Sequence, residues 1–417
     1  ERQRRYYIKL TQKCAINLKN FIILLQNKQM FDILNSKIII KLWKKIYFYD
    51  IKYNRLLKLN GGKMNVIDLF CGCGGLSYGY QEAGCNIILG IDNNETALKT
   101  FEKNHPGSKG LNIDLLREDF VDEIKKYIGD TQVDIIIGGP PCQGFSLTGS
   151  RNPDDIRNKL YKAMFITAKA FKPKAIMIEN VPGIQRLYGG KFYNLIVDEF
   201  NKLGEYNFDS KILYAPDYGV PQIRKRIFIV GIRKDLGDVS FPKPKLKEEE
   251  YISTKDAIGD LPSLENEPDQ EDFDYEIEPF SEYQKLMRKG SDMIHNHLVT
   301  KHTQEVKDII SLVPDGGNFK DLPKGVGDNR KFNEAWRRYD STKPSRTIDT
   351  GHRNHFHYKY NRVPTVRECA RLQSFPDDFV FLGNKTQQFR QVGNAVPPLM
   401  AQAIANKVKE VLDNCNE

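Results

Sequence analysis

A doubly wound, mostly parallel α/β sheet with a smaller, irregular second domain is the fold class this sequence predicts, on three observations. From Met64 to Gly231, apolar runs alternate with glycine turns and helix-patterned stretches, as βαβ units around a parallel sheet require. The runs are apolar almost throughout, as in Val133 to Ile137, which suits strands buried on both faces. After Gly231 the texture changes: residues 232 to 365 mix Pro-rich turns, an acidic run from Glu265 to Glu278 and clusters of Arg, His and aromatics.

The expected strands of the first domain are Val66–Phe70, Ile87–Ile91, Asp134–Ile137, Ala175–Ile178, Lys211–Tyr214 and Ile227–Val230, with a further strand ending just before Asp114. Between them Ser77–Ala83, Glu95–Asn104, Leu160–Phe171 and Phe192–Leu203 carry helical spacing. Beyond the irregular region, Thr365–Gln373 and the apolar Pro398–Leu412 are expected to be helices that pack back on the first domain. The expected organisation is therefore a catalytic and cofactor-binding domain over 64–231, a second region over 232–361 and a returning segment over 362–417.

Residues 1 to 63 differ from the rest. They hold 15 Lys and Arg against 3 Asp and Glu, so the net charge of +9 resides wholly in them and the remainder is slightly acidic. Overall charge is thus poor evidence for nucleic-acid binding, and any basic face must be local. Phe21–Gln29 and Ile38–Phe48 could form basic amphipathic helices. Gly61-Gly62-Lys63-Met64 can be encoded by a purine-rich, ribosome-binding-like stretch running into a start codon. The expectation is that Met64 is the initiator and residues 1–63 are translated upstream sequence; the competing reading is a genuine basic helical extension. The basic start lacks the small-residue cleavage site of a signal peptide. Seven cysteines, without small-scaffold density, fit reduced thiols in the cytoplasm better than a disulfide framework. Cys71 and Cys73 lack partners at zinc spacing, so no metal site is expected.

Chemistry concentrates at strand ends. In Gly138-Gly139-Pro140-Pro141-Cys142-Gln143-Gly144-Phe145-Ser146 a double proline fixes the backbone and presents Cys142 at the carboxyl end of a strand, where open α/β sheets place their ligands. A thiol held there suggests a nucleophile; the plainer reading is a small buried hydrophobe. Asp68-Leu69-Phe70-Cys71-Gly72-Cys73-Gly74-Gly75 follows the first strand and opens a helix, so glycines admit a ligand to backbone and helix N-terminus. Asp92 at the second strand end could take two ribose hydroxyls, and Asp114 an adenine amino group. A nucleoside-containing cofactor is the natural reading, although a dinucleotide or a plain tight turn also fits, and the missing third glycine tilts away from NAD. Glu179, in Glu179-Asn180-Val181, could serve as acid or anchor. Alternation in Gln222-Ile223-Arg224-Lys225-Arg226 sets both arginines on one face, suited to carbonyl or phosphate oxygens, where a solvated strand edge is the commoner outcome.

The motifs DLFCGCGG, GGPPCQGFS, ENV, PQIRKR, RECARLQSFPDDF and QVGNAVPP, in this order, closely resemble the DNA (cytosine-5)-methyltransferases of bacterial restriction–modification systems. The resemblance covers about residues 64–231 and 362–412. Departures are Cys71 for the usual Ala, Tyr214 where Asn often precedes Ala215, and Asp92 where Glu is common. It implies a Rossmann-like, S-adenosylmethionine-dependent fold whose region 232–361 is the target-recognition domain.

The same resemblance implies that Cys142 adds to carbon 6 of a cytosine flipped out of the duplex, that Glu179 holds and protonates ring nitrogen 3, and that Arg226 binds oxygen 2 with Arg224 in support. Phe70, Gly72, Gly75, Asp92, Asp114, Pro141, Leu160, Asn394 and Ala395 become the expected contacts of S-adenosylmethionine. Ser146, Gln222, Trp336, Arg337, Arg338 and Arg353 are the candidate contacts to double-stranded DNA. A monomer in the cytoplasm, at the nucleoid, with a separately acting cognate endonuclease, completes the expectation. The rivals are a tRNA cytosine-5 methyltransferase, against which stand Gly144-Phe145-Ser146 after Cys142-Gln143 and the lack of a Cys-Phe-Thr element, a non-catalytic DNA-binding relic, and a Rossmann oxidoreductase, which leaves the later motifs unexplained.

Overall fold

Seven strands form one sheet in the order β3-β2-β1-β4-β5-β7-β6: β1 (Asn65–Leu69), β2 (Asn86–Asp92), β3 (Lys109–Asn112), β4 (Ile135–Gly138), β5 (Ala175–Asn180), β6 (Tyr206–Tyr214) and β7 (Lys225–Arg233). The first five run parallel, and β7 pairs antiparallel with both β5 and β6. The computed structural model describes residues 63–141, 159–327, 329–330, 334–351 and 354–414. The expectations for residues 1–62 lie outside them.

Alternation along each strand divides the apolar side chains between two layers. Val66, Ile135, Ile137 and Met177 face a core that also takes residues of α1 (Gly75–Glu82), α2 (Glu95–Asn104) and α11 (Pro398–Asp413). Ile67, Leu69, Ile136 and Ile178 face a second core completed by α3 (Phe120–Ile128), α4 (Lys162–Phe171) and α5 (Lys191–Leu203). The sheet is therefore doubly wound, as the sequence predicts. Strand and helix positions agree with the expected ones to within a few residues, except that β6 and β7 each extend to nine residues. Helix α3 was not evident in the sequence pattern.

The returning segment closes the first layer. A Cβ on Gly79 of α1 would lie 2.4 Å from Ala401 Cβ and 2.7 Å from the Pro398 carbonyl oxygen, so glycine is what lets α11 lie against α1.

Beyond β7 the chain is irregular, with short helices α6 (Thr254–Ile258), α7 (Glu282–Met287) and α8 (Gln304–Ser311) and a two-residue parallel pair, β8 (Arg337–Arg338) with β9 (His355–Phe356). Ala257, Ile258, Tyr283, Met287 and Ile294 share one apolar core with residues of α9 (Val366–Leu372) and α10 (Lys385–Asn394). Helix α9 starts in a capping box, with Thr365 Oγ1 accepting from Glu368 N and Glu368 Oε2 accepting from Thr365 N.

Charged groups are buried throughout this joint. Arg371 donates from Nη1 to Asp260 Oδ1 (2.5 Å), from Nη2 to Asp377 Oδ2 (2.6 Å) and from Nε to Asp377 Oδ1 (2.8 Å). Arg288 adds a second contact to Asp260, and Tyr275 a third to Asp377. Nearby, Arg362 makes a two-pronged pair with Glu368 (2.8 and 2.6 Å).

Three buried histidines are held neutral chiefly by burial, which pushes His105 and His297 down to about 4 and His357 down to about 3. Between those values and the ordinary 6.5, the unfolded chain binds more protons than the folded one. Stability is therefore expected to fall as pH drops from about 6.5 towards about 4, and urea midpoints measured across that range will check it.

Candidate active site

The carboxyl ends of β1, β2, β4 and β5 gather at one edge of the sheet, on either side of the point where chain order reverses around β1. After β1 the backbone enters left-handed conformations at Phe70 (φ 66°), Gly72 (φ 53°) and Gly74 (φ 96°), delivering the N-terminus of α1 to this edge. Gly72 N–H donates to Asp92 Oδ2 (2.9 Å) and Asn94 N–H to Asp92 Oδ1 (2.8 Å). Burial raises the Asp92 carboxyl above its usual range, and these backbone donors partly offset the rise. The direction a side chain would take from Gly72 is open space. The opposite holds for Gly75, where a Cβ would meet the Val396 carbonyl oxygen at 2.6 Å and Ala395 Cβ at 3.0 Å. The turn that follows α10 thus lies directly on the glycine loop.

Of the other expected cofactor contacts, Phe70, Pro141, Leu160 and Ala395 are half-buried, and Asp114 and Asn394 are exposed. Asp68 was not singled out by sequence. It is fully buried at the end of β1, accepts from Ser77 Oγ on Oδ2, and burial pushes its carboxyl up to about 8. Its Oδ1 has no hydrogen-bond partner among the described residues.

On the other side of β1, β4 runs into Gly138-Gly139-Pro140-Pro141. A Cβ on Gly139 would sit 3.1 Å from Glu179 Oε2, so the turn passes close beside the carboxylate and a side chain there would press on it. Asn180 Nδ2 donates to the Pro140 carbonyl at 3.0 Å and ties the turn to the end of β5. Cys142 and Ser146 lie outside the described residues; Pro141 is the last described position before them. Glu179 Oε1 pairs with Arg226 Nε at 2.8 Å, both side chains being mostly buried. Burial raises the Glu179 carboxyl, while Arg226 and Arg224 pull it back only in part, so it stays above its ordinary range.

Arg224 does not lie on a solvated strand edge. It is buried, and its Nη2 donates to the Gly393 and Ala395 carbonyls, both at 3.1 Å. It therefore positions the turn after α10 while its charge bears on Glu179.

The structure corrects two candidate DNA contacts. Gln222 is fully buried, with its amide committed to Ile348 N, the Leu372 carbonyl and Gln373, and so cannot reach a base edge. Arg338 is buried with its guanidinium on the carbonyls of Val313, His357, Tyr360 and Ile310 and on Asn361, where it organises the small core around Ile310 and Phe356. Arg337 is half-buried, pairing with Glu334 (2.7 Å) and donating to the Gly316 carbonyl. Trp336 packs on the same small core under the guanidinium of Arg330. Arg353 lies outside the described residues. Lys343 and Arg346 fall in the stretch from Lys343 to Tyr360 that the sequence suits to phosphates and base edges. With Lys225, and with none of the three expected individually as a contact, they are exposed at a seam beside the site where Ser345 pairs with Pro221 and Ile223.

Residues 64–410 match the family described as C-5 cytosine-specific DNA methylase. A type II methyltransferase, M1.HphI of Haemophilus parahaemolyticus, is 40% identical over 361 residues, covering 85% of this chain and 88% of its own. M.DdeI of Desulfomicrobium norvegicum, another type II methyltransferase, is 38% identical over 380 residues (85% and 90%). Among solved structures, one described as a DNA modification methyltransferase encoded within an E. coli prophage is 29% identical with a TM-score of 0.71, covering 84% of this chain and all of that one.

Proposed function

The chain belongs to the C-5 cytosine-specific DNA methylase family, and from that premise we propose that Cys142, Glu179 and Arg226 carry out methylation of cytosine carbon 5 with S-adenosylmethionine as donor. The enzyme is a site-specific DNA cytosine-5 methyltransferase of the restriction–modification type. The observation that carries the residue assignment is the buried Glu179–Arg226 pair beside the Gly139–Pro141 turn, one residue from Cys142.

The residues around the first glycine loop fit a nucleoside-bearing donor. Asp92 keeps acceptor capacity beyond the Gly72 and Asn94 backbone donors, Gly72 leaves open space above the loop, and Asp68 Oδ1, without a partner among the described residues, lies at its base. Phe70, Leu160, Asn394 and Ala395 would complete the walls, with Asp114 at the adenine end. Bound there, S-adenosylmethionine would supply an electrophilic methyl group.

The protein's own groups perform the rest. Cytosine carbon 5 is a weak nucleophile, so the Cys142 thiolate first forms a bond to carbon 6. Glu179, whose carboxyl burial raises above its ordinary range, gives its proton to ring nitrogen 3, which takes up the electron pair displaced by that addition. Carbon 5 then takes the methyl, its proton leaves to a base, the C–S bond breaks with its electrons returning to Cys142, and nitrogen 3 gives its proton back to Glu179 as the ring is restored. Arg226 fixes Glu179 and presents its remaining donors to oxygen 2. Since the target atoms are inaccessible inside a duplex, the base must be flipped into this pocket. Residues 232–361 would serve as the recognition region, with Lys225, Lys343 and Arg346 on phosphates. We further assign the enzyme to the cytoplasm as a monomer, with a separately acting endonuclease as its cognate partner.

Bisulfite sequencing of DNA from cells expressing the chain should reveal one short sequence with fully converted-resistant cytosines, and Cys142→Ser should abolish it. A Cys142→Ser protein that still methylates carbon 5 would refute the covalent route. Methylation confined to tRNA, or none from the intact chain, would refute the DNA assignment.

A further inference from the structure

A line of buried amides joins the recognition region to the turn that lies on the glycine loop. Ile348 N–H donates to Gln222 Oε1 at 3.1 Å. Gln222 Nε2 donates to Gln373 Oε1, and Gln373 Nε2 donates to the carbonyls of Ala395 (2.7 Å) and Val392 (3.2 Å). Both glutamines are fully buried. Backbone groups fix the polarity at each end: Ile348 offers only a donor and Ala395 only an acceptor, so both amides must point the same way.

Each end of the line touches a ligand-binding element. At the far end, Ala395 and Val396 fill the space beside Gly75. At the near end, residues 345–350 run beside 221–223, and a Cβ on Gly393 would meet the Asp349 carbonyl oxygen at 2.5 Å and Thr350 N at 2.9 Å. A shift of residues 345–350 must therefore reach the turn at 393–396, by direct contact and through the amides. Such a line is all or none, because a buried amide left with one broken partner is costly.

We propose that Gln222 and Gln373 are positioning residues that couple the two ligands, so that DNA seated on the recognition region sets the 393–396 turn and tightens binding of the methyl donor. The inference rests on the methyltransferase reading above. By linkage, the donor must tighten DNA binding by the same factor.

The test is calorimetric binding of S-adenosylhomocysteine with and without a duplex carrying the sequence mapped by bisulfite. In the wild type the duplex should tighten binding by about tenfold, within the usual range of such couplings. In Gln373→Met or Gln222→Met the factor should fall towards one while duplex binding without S-adenosylhomocysteine is kept. The double variant should lose no more than either single one, since the two act in series. Gln373→Glu adds a readout that a structural role would not move. Protonated, its hydroxyl can donate to the Ala395 carbonyl, so coupling should return as pH is lowered, with no such change in the wild type. Should Gln373→Met fail to fold, this pH profile decides the matter, and a flat one overturns the proposal. Coupling that persists in folded Gln373→Met, or a wild type that binds both ligands without coupling, also overturns it. A wild type that binds no S-adenosylhomocysteine would instead remove the methyltransferase reading and the relay with it.

Discussion

Replacing Glu179 with glutamine is expected to lower methyl transfer by about 10²- to 10⁴-fold while leaving duplex binding in place. Glutamine keeps the shape and can still approach Gly139 and Arg226, but it has no proton to give to ring nitrogen 3. Without that proton, addition of sulfur to carbon 6 must build negative charge on the ring with no acid to neutralise it. The pH profile separates this from a packing defect. Burial holds the Glu179 carboxyl above its ordinary range against the pull of Arg226 and Arg224. Its acid form, and the rate that depends on it, should decline as pH rises through that raised value. The glutamine variant should lack that decline while keeping whatever rise Cys142 ionisation produces. Single-turnover rates from pH 5 to 9 provide the check; a variant with wild-type rate and profile would remove Glu179 from the mechanism.

Replacing Arg371 with methionine is expected to be the most destabilising single change at the joint, by roughly 3–5 kcal/mol. Methionine retains much of the volume but takes the bridging cation from two fully buried carboxylates, leaving Asp260 with Arg288 and Asp377 with Tyr275 as hydrogen-bond partners. Burial alone would raise Asp377, and it is Arg371 above all that holds it below its ordinary range. The contribution of this carboxylate is accordingly present at neutral pH and is lost as pH falls through its depressed value. A thermal midpoint lowered by roughly 5–10 °C at pH 7 is the expected reading. Lysine at 371 should rescue little, because one ammonium cannot replace a planar fork that bridges two carboxylates. A midpoint within a degree of wild type would show that the network carries no net stability.

The sheet and most of its helices were legible because their information is local. Apolar runs such as Ile135–Ile137 and the turns at strand ends announce themselves without knowledge of their neighbours. The same is true of the motifs around Asp68, Cys142 and Glu179. The failures share a different cause. Gln222 and Arg338 look like surface groups because polar side chains usually are, yet each is buried by acceptors far away in sequence, such as Leu372 for Gln222 and Ile310 for Arg338. Likewise the stretch from Lys343 to Tyr360, rich in Arg, Lys, His and aromatics, reads as suited to phosphates and base edges, whereas His355 and His357 within it are interior. Strand β3 is short and contains Gly110, and helix α3 buries only Phe120 and Ile124, so neither leaves much of a pattern. Asn180 and Gln373 were missed because their roles are hydrogen bonds to backbone carbonyls that no motif spells out.

The fit of Gly79 against Ala401 and Pro398 has a consequence for how the enzyme is made. Helix α1 is among the first of the described elements to leave the ribosome, and α11 follows all the others described. Until α11 emerges, α1 shows an apolar groove to water and the glycine loop lacks the turn that seats it. Every strand of the sheet, and α11 after them, must therefore be synthesised before a donor pocket exists, so a nascent chain or one ended before α11 should hold the earlier motifs and modify no DNA.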